Sequence, residues 1–246
     1  MWLAPFIPNP IVQDIVAMVI TLAVALIFLR SMDMLAHRGL IDQRLSRKII
    51  HIGTGPLFIV CLNLFSDQWH APYFAAAVPM LITVQFFAVG MGLLDDPAAV
   101  KALSRSGDRR EILRGPLYYG IIFVICTIVF WRHSPLGVLA LMVMCGGDGL
   151  ADVVGRRLGA VKLPFNANKS YAGSTAMFLG SFVFGLGFLA FYNTLGNFDP
   201  TLNLTATALS VGIISLVATL VESLPFHDVD NITITVTALI LGFFLL

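Results

Sequence analysis

PLGVLALMVMCGGDGLADVVG, residues 135–155, is the stretch on which the reading of this chain turns. Its first half is an uninterrupted apolar run, and as a helix rising 1.5 Å per residue the whole stretch can cross the roughly 30 Å of a bilayer's hydrocarbon. Its second half sets Asp148 and Asp152 among glycines at 146, 147 and 149. An aspartate near the bilayer interior costs about 2.5–3.5 kcal/mol on insertion scales, so its presence marks a site. At i and i+4 the two carboxylates share one helix face, and Arg156, four further on, nearly continues the stripe. Glycines weaken the helix where the first Asp sits, a break that membrane proteins keep where backbone lines a cavity or is covered by protein. Carboxylates and a guanidinium on one loosened face suit a metal-bound phosphate. The bland alternative is an Asp152–Arg156 ion pair holding a helix end, which would need neither Asp148 nor the glycines.

The rest of the chain has the same solvent preference. Of its 246 residues 58% are hydrophobic and 12% charged, far from a soluble domain, and its mean hydropathy is +0.88. Apolar runs predict eight spans, at 11–30, 48–66, 71–93, 115–132, 135–155, 171–193, 205–222 and 230–246. The expected fold is therefore an all-α, polytopic membrane helical bundle, one membrane-embedded domain over 1–246. No strand-period segment of convincing length is visible. A short amphipathic helix is expected over Pro97 to Leu103, inside the longest polar insertion, 94–114. The stretch 156–170 is too rich in Gly, Pro and Asn to be helical throughout.

A net charge of +1 with no dense basic face excludes a nucleic-acid partner. The distribution of cations says more than their sum. Fourteen of the fifteen Lys and Arg flank the first, third and fifth connections, leaving Arg132 by itself on the other side. Cytoplasmic loops collect Lys and Arg, so these connections are expected inside and both termini outside. The amino-terminal run lacks a basic n-region and a small-residue cleavage pattern, so it reads as a first span. A bacterial inner membrane is the simpler location, with a plastid or other organelle membrane as the alternative. Cys61, Cys126 and Cys145 each lie in an apolar run and read as inert core thiols.

Four polar segments fall on the expected inner side. Arg47 and Lys48, at the start of the second span, read most simply as positive-inside anchors. His51, one turn further in, is either a helix-packing histidine or part of a site. The Asp148/Asp152/Arg156 stripe offers hard oxygen ligands of the kind Mg²⁺ takes alongside phosphate oxygens. The third segment, Asn168-Lys169-Ser170 followed by Gly173-Ser174, offers an ammonium, hydroxyls and the N–H groups of a helix start, a combination that binds phosphate. It lacks the Walker A spacing. Its plainer reading is an N-cap beside a snorkelling lysine. In the fourth, Glu222 ends span seven while Asp230 and Asn231 begin span eight. These acids read either as caps and a solvated turn, or as groups that bind a second metal, orient Lys169 and Arg157, or take up a proton.

Arg47-Lys48-x-x-His51-Ile52, Gly147-Asp148-Gly149-x-Ala151-Asp152-x-x-Gly155-Arg156-x-x-Gly159, Asn168-Lys169-Ser170-x-x-Gly173-Ser174 and Glu222-Ser223-x-Pro225 with Asp230-Asn231-x-Thr233 occur in one order over residues 47–233. In these motifs the chain resembles the polyprenol kinase family, nearest to phytol and farnesol kinases, with dolichol kinase and the membrane cytidylyltransferases that make CDP-diacylglycerol more distant. The resemblance implies phosphorylation of an isoprenoid alcohol by CTP or UTP at the cytoplasmic face: phytol first, farnesol or geranylgeraniol next. It implies Mg²⁺ held by Asp148 and Asp152. Arg156, Arg157 and Lys169 are expected to clamp phosphate oxygens, with Asn168, Arg47, Lys48 and Asn231 near the nucleotide. The helix start at Ser170, Gly173 and Ser174 would supply N–H donors. Glu222, Asp230 and His51 are the candidates for taking the alcohol's proton. Two other functions compete, a cytidylyltransferase building a CDP-lipid and a secondary transporter with an intramembrane Asp site.

Overall fold

The computed structural model of the chain describes residues 2–226 and 228–246. It resolves into two compact units, Met1–Trp131 and Arg132–Leu246.

In the first unit α1, α2 and α4 begin where the sequence supplies a capping side chain. Helix α1, Pro10–His37, starts with Asn9 Oδ1 accepting from the N–H groups of Ile11 and Val12, at 3.0 and 3.3 Å, and with Pro10 in the first turn. Asp42 caps α2, Gln43–Cys61, through Leu45 N at 2.8 Å. Helix α3, Ala71–Met91, stops at Gly92, whose φ of 75° is the left-handed conformation glycine adopts at a helix end without strain. Asp96 then caps the short α4, Pro97–Leu103, within the bounds the sequence predicts. A 3-10 turn over Arg109–Leu113 leads into α5, Gly115–Val129. Buried Asp14 ties α1 to the approach to α3: it accepts from Ser66 N at 2.6 Å and Ser66 Oγ at 2.9 Å, and lies 2.7 Å from His70 Nδ1.

The second unit is built around the stretch 135–155. Helix α6, Pro135–Met142, widens into a π-helical turn over Val143–Asp148 before α7, Gly149–Leu158. From Val138 to Gly147 every residue is buried. A two-stranded antiparallel hairpin follows, β1 at Lys162–Leu163 and β2 at Asn166–Ser170. The sequence does not predict it, because strands of two and five residues carry no usable period. Helices α8, Tyr171–Thr194, α9, Leu204–Ser223, and α10, Asp230–Leu245, complete the unit. The α6–π–α7 rod packs against all three.

Glycines let that rod approach α8 at backbone distance, as small residues do between membrane helices. A Cβ added at Gly180 of α8 would lie 2.6 Å from the Gly146 carbonyl oxygen, and one at Gly146 would lie 2.5 Å from Cγ of Phe184. Gly180→Ala is therefore expected to lower thermal stability by about 1–3 kcal/mol, since backbone must move to admit the methyl. A melt unchanged from the wild type would show that the rod has slack at this point.

Among the described residues seven helices are long and apolar enough to cross a membrane, and the chain is an integral membrane protein of all-α, polytopic type. The eighth expected span differs: α10 has 16 residues, about 24 Å at 1.5 Å per residue and short of the usual 30 Å. Its exposed apolar residues, like those of the other spans, suit lipid contact, for example Val183, Leu209 and Phe243. The three cysteines are buried.

Candidate functional site

The π turn sets the position of Asp148. One extra residue per turn re-aims the side chains that follow, and such turns often occur at functional sites. Asp148 is the last residue of the turn, and the ends of α9 and α10 bring their own acids to it. Oxygens of Asp148, Glu222 and Asp230 all lie within 4.8 Å of one another.

Lys169 enters this group from β2. Its Nζ donates to Glu222 Oε1 in a short ion pair and to Asp230 Oδ2 at 3.1 Å. Burial alone would depress a lysine's pKa. Here the attraction of Glu222, Asp230 and Asp148 outweighs it and raises the value above the ordinary one. The ammonium is therefore charged at any working pH. Glu222 is almost fully buried, and it sits at the carbonyl end of α9, where the helix dipole disfavours an anion. The Lys169 ammonium acts against both effects. Asp230, at the first turn of α10, has the dipole in its favour.

The hairpin that presents Lys169 is anchored to the same helix end. Buried Asn166 donates from Nδ2 to the Ser223 carbonyl oxygen at 3.0 Å, and its Oδ1 accepts from Asn168 N at 3.1 Å. Ser170 caps α8 by accepting from Gly173 N at 3.1 Å. Backbone contact between α7 and α8 fixes that cap in place: a Cβ at Gly173 would meet the Ala151 carbonyl at 3.2 Å and Gly155 Cα at 3.3 Å. The Ser174 Oγ is buried with no hydrogen-bond partner among the described residues.

Three of the four polar segments thus meet in the second unit, but not as the i, i+4 arithmetic arranges them. Asp152 does not join the group. Its Oδ1 accepts from Nε of Arg156 at 2.9 Å, in the ion pair that the bland alternative describes. The acids that gather around Asp148 are Glu222 and Asp230 instead, because the ends of two other helices stand there. Arg156, Arg157 and Asn168 are exposed, and Asn231 is buried. Asn166 is the residue that sequence reasoning passes over; its only signal is a place in a turn-rich loop.

The first segment belongs to the other unit. There Arg47 Nη1 donates to the Ser104 carbonyl at 3.1 Å. The His51 ring packs 4.5 Å from that of Tyr119, whose hydroxyl donates to the His51 carbonyl at 2.8 Å. Lys48 is half-buried at the same turn of α2.

Among the described residues, three carboxylates gather with the Lys169 ammonium in a partly buried place, where negative charge outweighs positive. That surplus suits a divalent cation, and three oxygens within 4.8 Å can share one.

No family model matches the chain, and no solved structure does. Curated relatives do match. The chain is 41% identical over 236 residues to a probable phytol kinase 3 of Glycine max, covering 95% of this chain and 73% of that one. It is 37% identical over 237 residues to phytol kinase 1 of Arabidopsis thaliana, covering 96% and 77%. With farnesol kinase of the same plant it shares 38% over 242 residues, covering 98% and 78%. The chain belongs to the phytol and farnesol kinase family. It is a phosphotransferase with an alcohol acceptor, so a nucleotide must supply the phosphoryl group. The relatives are named as chloroplastic proteins.

Proposed function

We propose that this chain transfers the terminal phosphoryl group of CTP or UTP to the hydroxyl of an isoprenoid alcohol, phytol ahead of farnesol or geranylgeraniol. The reaction runs at the membrane face that carries the basic connections. The observation that carries the proposal is the grouping of Asp148, Glu222 and Asp230 around Lys169, at the polar ends of apolar helices. Names of the curated relatives support the acceptor class.

Phosphoryl transfer passes through a loose transition state, so a kinase mainly positions its reactants and neutralises charge. Asp148, Glu222 and Asp230 would hold Mg²⁺, which would supply positive charge against the nucleotide phosphates and the transferred group. Lys169 directs its ammonium to a phosphate oxygen. Arg156 and Arg157, both exposed, turn onto the outer phosphates, and the first turn of α8 at Ser170, Gly173 and Ser174 offers its helix dipole and the Ser174 hydroxyl, unpartnered among the described residues. The alcohol oxygen forms a bond to the γ-phosphorus while the bond from that phosphorus to the bridging oxygen breaks. The nucleoside diphosphate leaves, and the alcohol's proton passes to a carboxylate. Asp230, with 27% of its side chain exposed against 4% for Glu222, is the more open to an incoming hydroxyl. The isoprenoid tail stays among apolar helix faces or in lipid, which is why a kinase for such an acceptor resides in a membrane.

The purified protein, given γ-labelled CTP, UTP or ATP with phytol, farnesol or geranylgeraniol, is expected to place label on the prenol, fastest with CTP and phytol. Label released as pyrophosphate, together with a requirement for a lipid phosphate, would instead establish a cytidylyltransferase.

A further inference from the structure

The first unit carries a second polar concavity, made of none of the residues of the acidic cluster. It is a cleft of about 770 Å³ between the first turns of α2, helix α4 and the turn that follows α4. Five cations line it: Arg44, Arg47, Lys101, Arg105 and Arg109. Among the described residues that line it, the acids are Asp95 and Asp108, the latter also capping Arg110 N at 2.9 Å. The volume lies in the range of ligand sites, roughly 300–1,000 Å³.

The wall of the cleft is held in shape by hydrogen bonds. Arg47 Nη1 fastens α2 to the end of α4 by donating to the Ser104 carbonyl. The Ser104 hydroxyl donates to Val100 O at 2.6 Å and accepts from Gly107 N at 3.1 Å. Glu111 gathers the turn by accepting from Ser106 Oγ at 2.8 Å and from the backbone N–H of Arg105. Arg109 is placed by a missing side chain: a Cβ at Gly92 would lie 2.5 Å from its Cζ, so the guanidinium lies over the end of α3. Glu111 holds its negative charge beside Arg105 and so partly compensates that one cation. Arg44, Lys101 and Arg109 are exposed and form no ion pair or side-chain hydrogen bond among the described residues.

Cations held at close quarters on a fixed wall repel one another until an anion joins them. Guanidinium forks match phosphate oxygens two at a time. The cleft also stands where α3 ends and the approach to α5 begins, at the polar limit of two spans, the depth at which lipid phosphates lie. We propose that this cleft binds a phosphate-bearing anion, either the headgroup of an acidic phospholipid or the phosphates of a free nucleotide. The proposal stands independently of the reading of Asp148, Glu222 and Asp230.

The full chain is placed in nanodiscs of phosphatidylcholine, with and without phosphatidylglycerol, as wild type and as Arg44→Gln/Lys101→Gln/Arg109→Gln. The single variant Lys101→Glu, at an exposed position without partners, covers the case in which the triple variant does not fold. A control removes the same number of charges elsewhere, at Arg38, Arg110 and Lys162. If the source is a headgroup, phosphatidylglycerol retained in native mass spectra falls on the order of tenfold in the cleft variants, and CTP binding in neutral discs is unchanged. If it is a nucleotide, CTP binding by equilibrium dialysis falls by that factor and lipid retention is unchanged. Loss of both also supports the site. Loss of neither, or equal loss in the control, overturns it.

Discussion

Asp148→Asn is expected to lower turnover by about 10²–10³, the usual loss when one preorganised electrostatic group is removed from an active centre. The carboxamide has the size of the carboxylate but lacks its charge. Residues 143–147 of the buried rod keep their packing, and the melt of the protein is expected to stay close to that of the wild type. The loss should appear in kcat and should be relieved in part by raising Mg²⁺, since the neighbours Glu222 and Asp230 remain. Asp152→Asn provides the internal comparison. Its partner is Arg156 at 2.9 Å, with the pair partly exposed, so its replacement is expected to cost far less, of the order of a surface pair's 0–1 kcal/mol. Equal losses at the two positions would return the metal to the i, i+4 pair. Near-normal turnover in Asp148→Asn would remove Asp148 from the chemistry.

How much of this was legible in the sequence depends on the range of the interaction. The spans show in composition because burial in lipid demands long apolar runs, and α4 shows in Asp96-Pro97, a cap followed by a helix-starting proline. The Asp152–Arg156 pair is local, four residues apart, and was readable as one of two alternatives. Asp148 was readable as a candidate because a carboxylate between glycines in an apolar run is costly to place in a membrane. Its company was not. Whether Asp152 or Glu222 and Asp230 stand beside it depends on where α9 stops and α10 starts in space, a tertiary fact that helix-wheel arithmetic does not contain. The π turn that sets its direction is likewise invisible, since glycines announce a weak helix without saying whether it breaks, tightens or widens. The hairpin escaped because its strands are too short for a period, yet it delivers Lys169 and is tied by Asn166 to the last carbonyls of α9.

Lys169→Met is the second large effect, and it separates two roles that the wild type combines. Removing the ammonium leaves Glu222 buried with its partner gone, and breaking a buried pair on one side costs about 3–5 kcal/mol. The fifth of the Lys169 side chain that is exposed puts the expectation at the low end of that range. Turnover should fall by about 10²–10³ as well, because a phosphate clamp is lost. Stability is then restored by neutralising the partner: Lys169→Met/Glu222→Gln is expected to melt near the wild type yet remain inactive. The pH dependence has a definite sign. Its raised pKa means that the folded form holds its proton more tightly than the unfolded one. The contribution of Lys169 is therefore complete at neutral and mildly alkaline pH and fades only as pH climbs through the raised value. The wild type should show no alkaline weakening from this group across the assay range. A double variant that regained turnover along with stability would reduce Lys169 to a counter-ion for Glu222 and leave the phosphate to other cations.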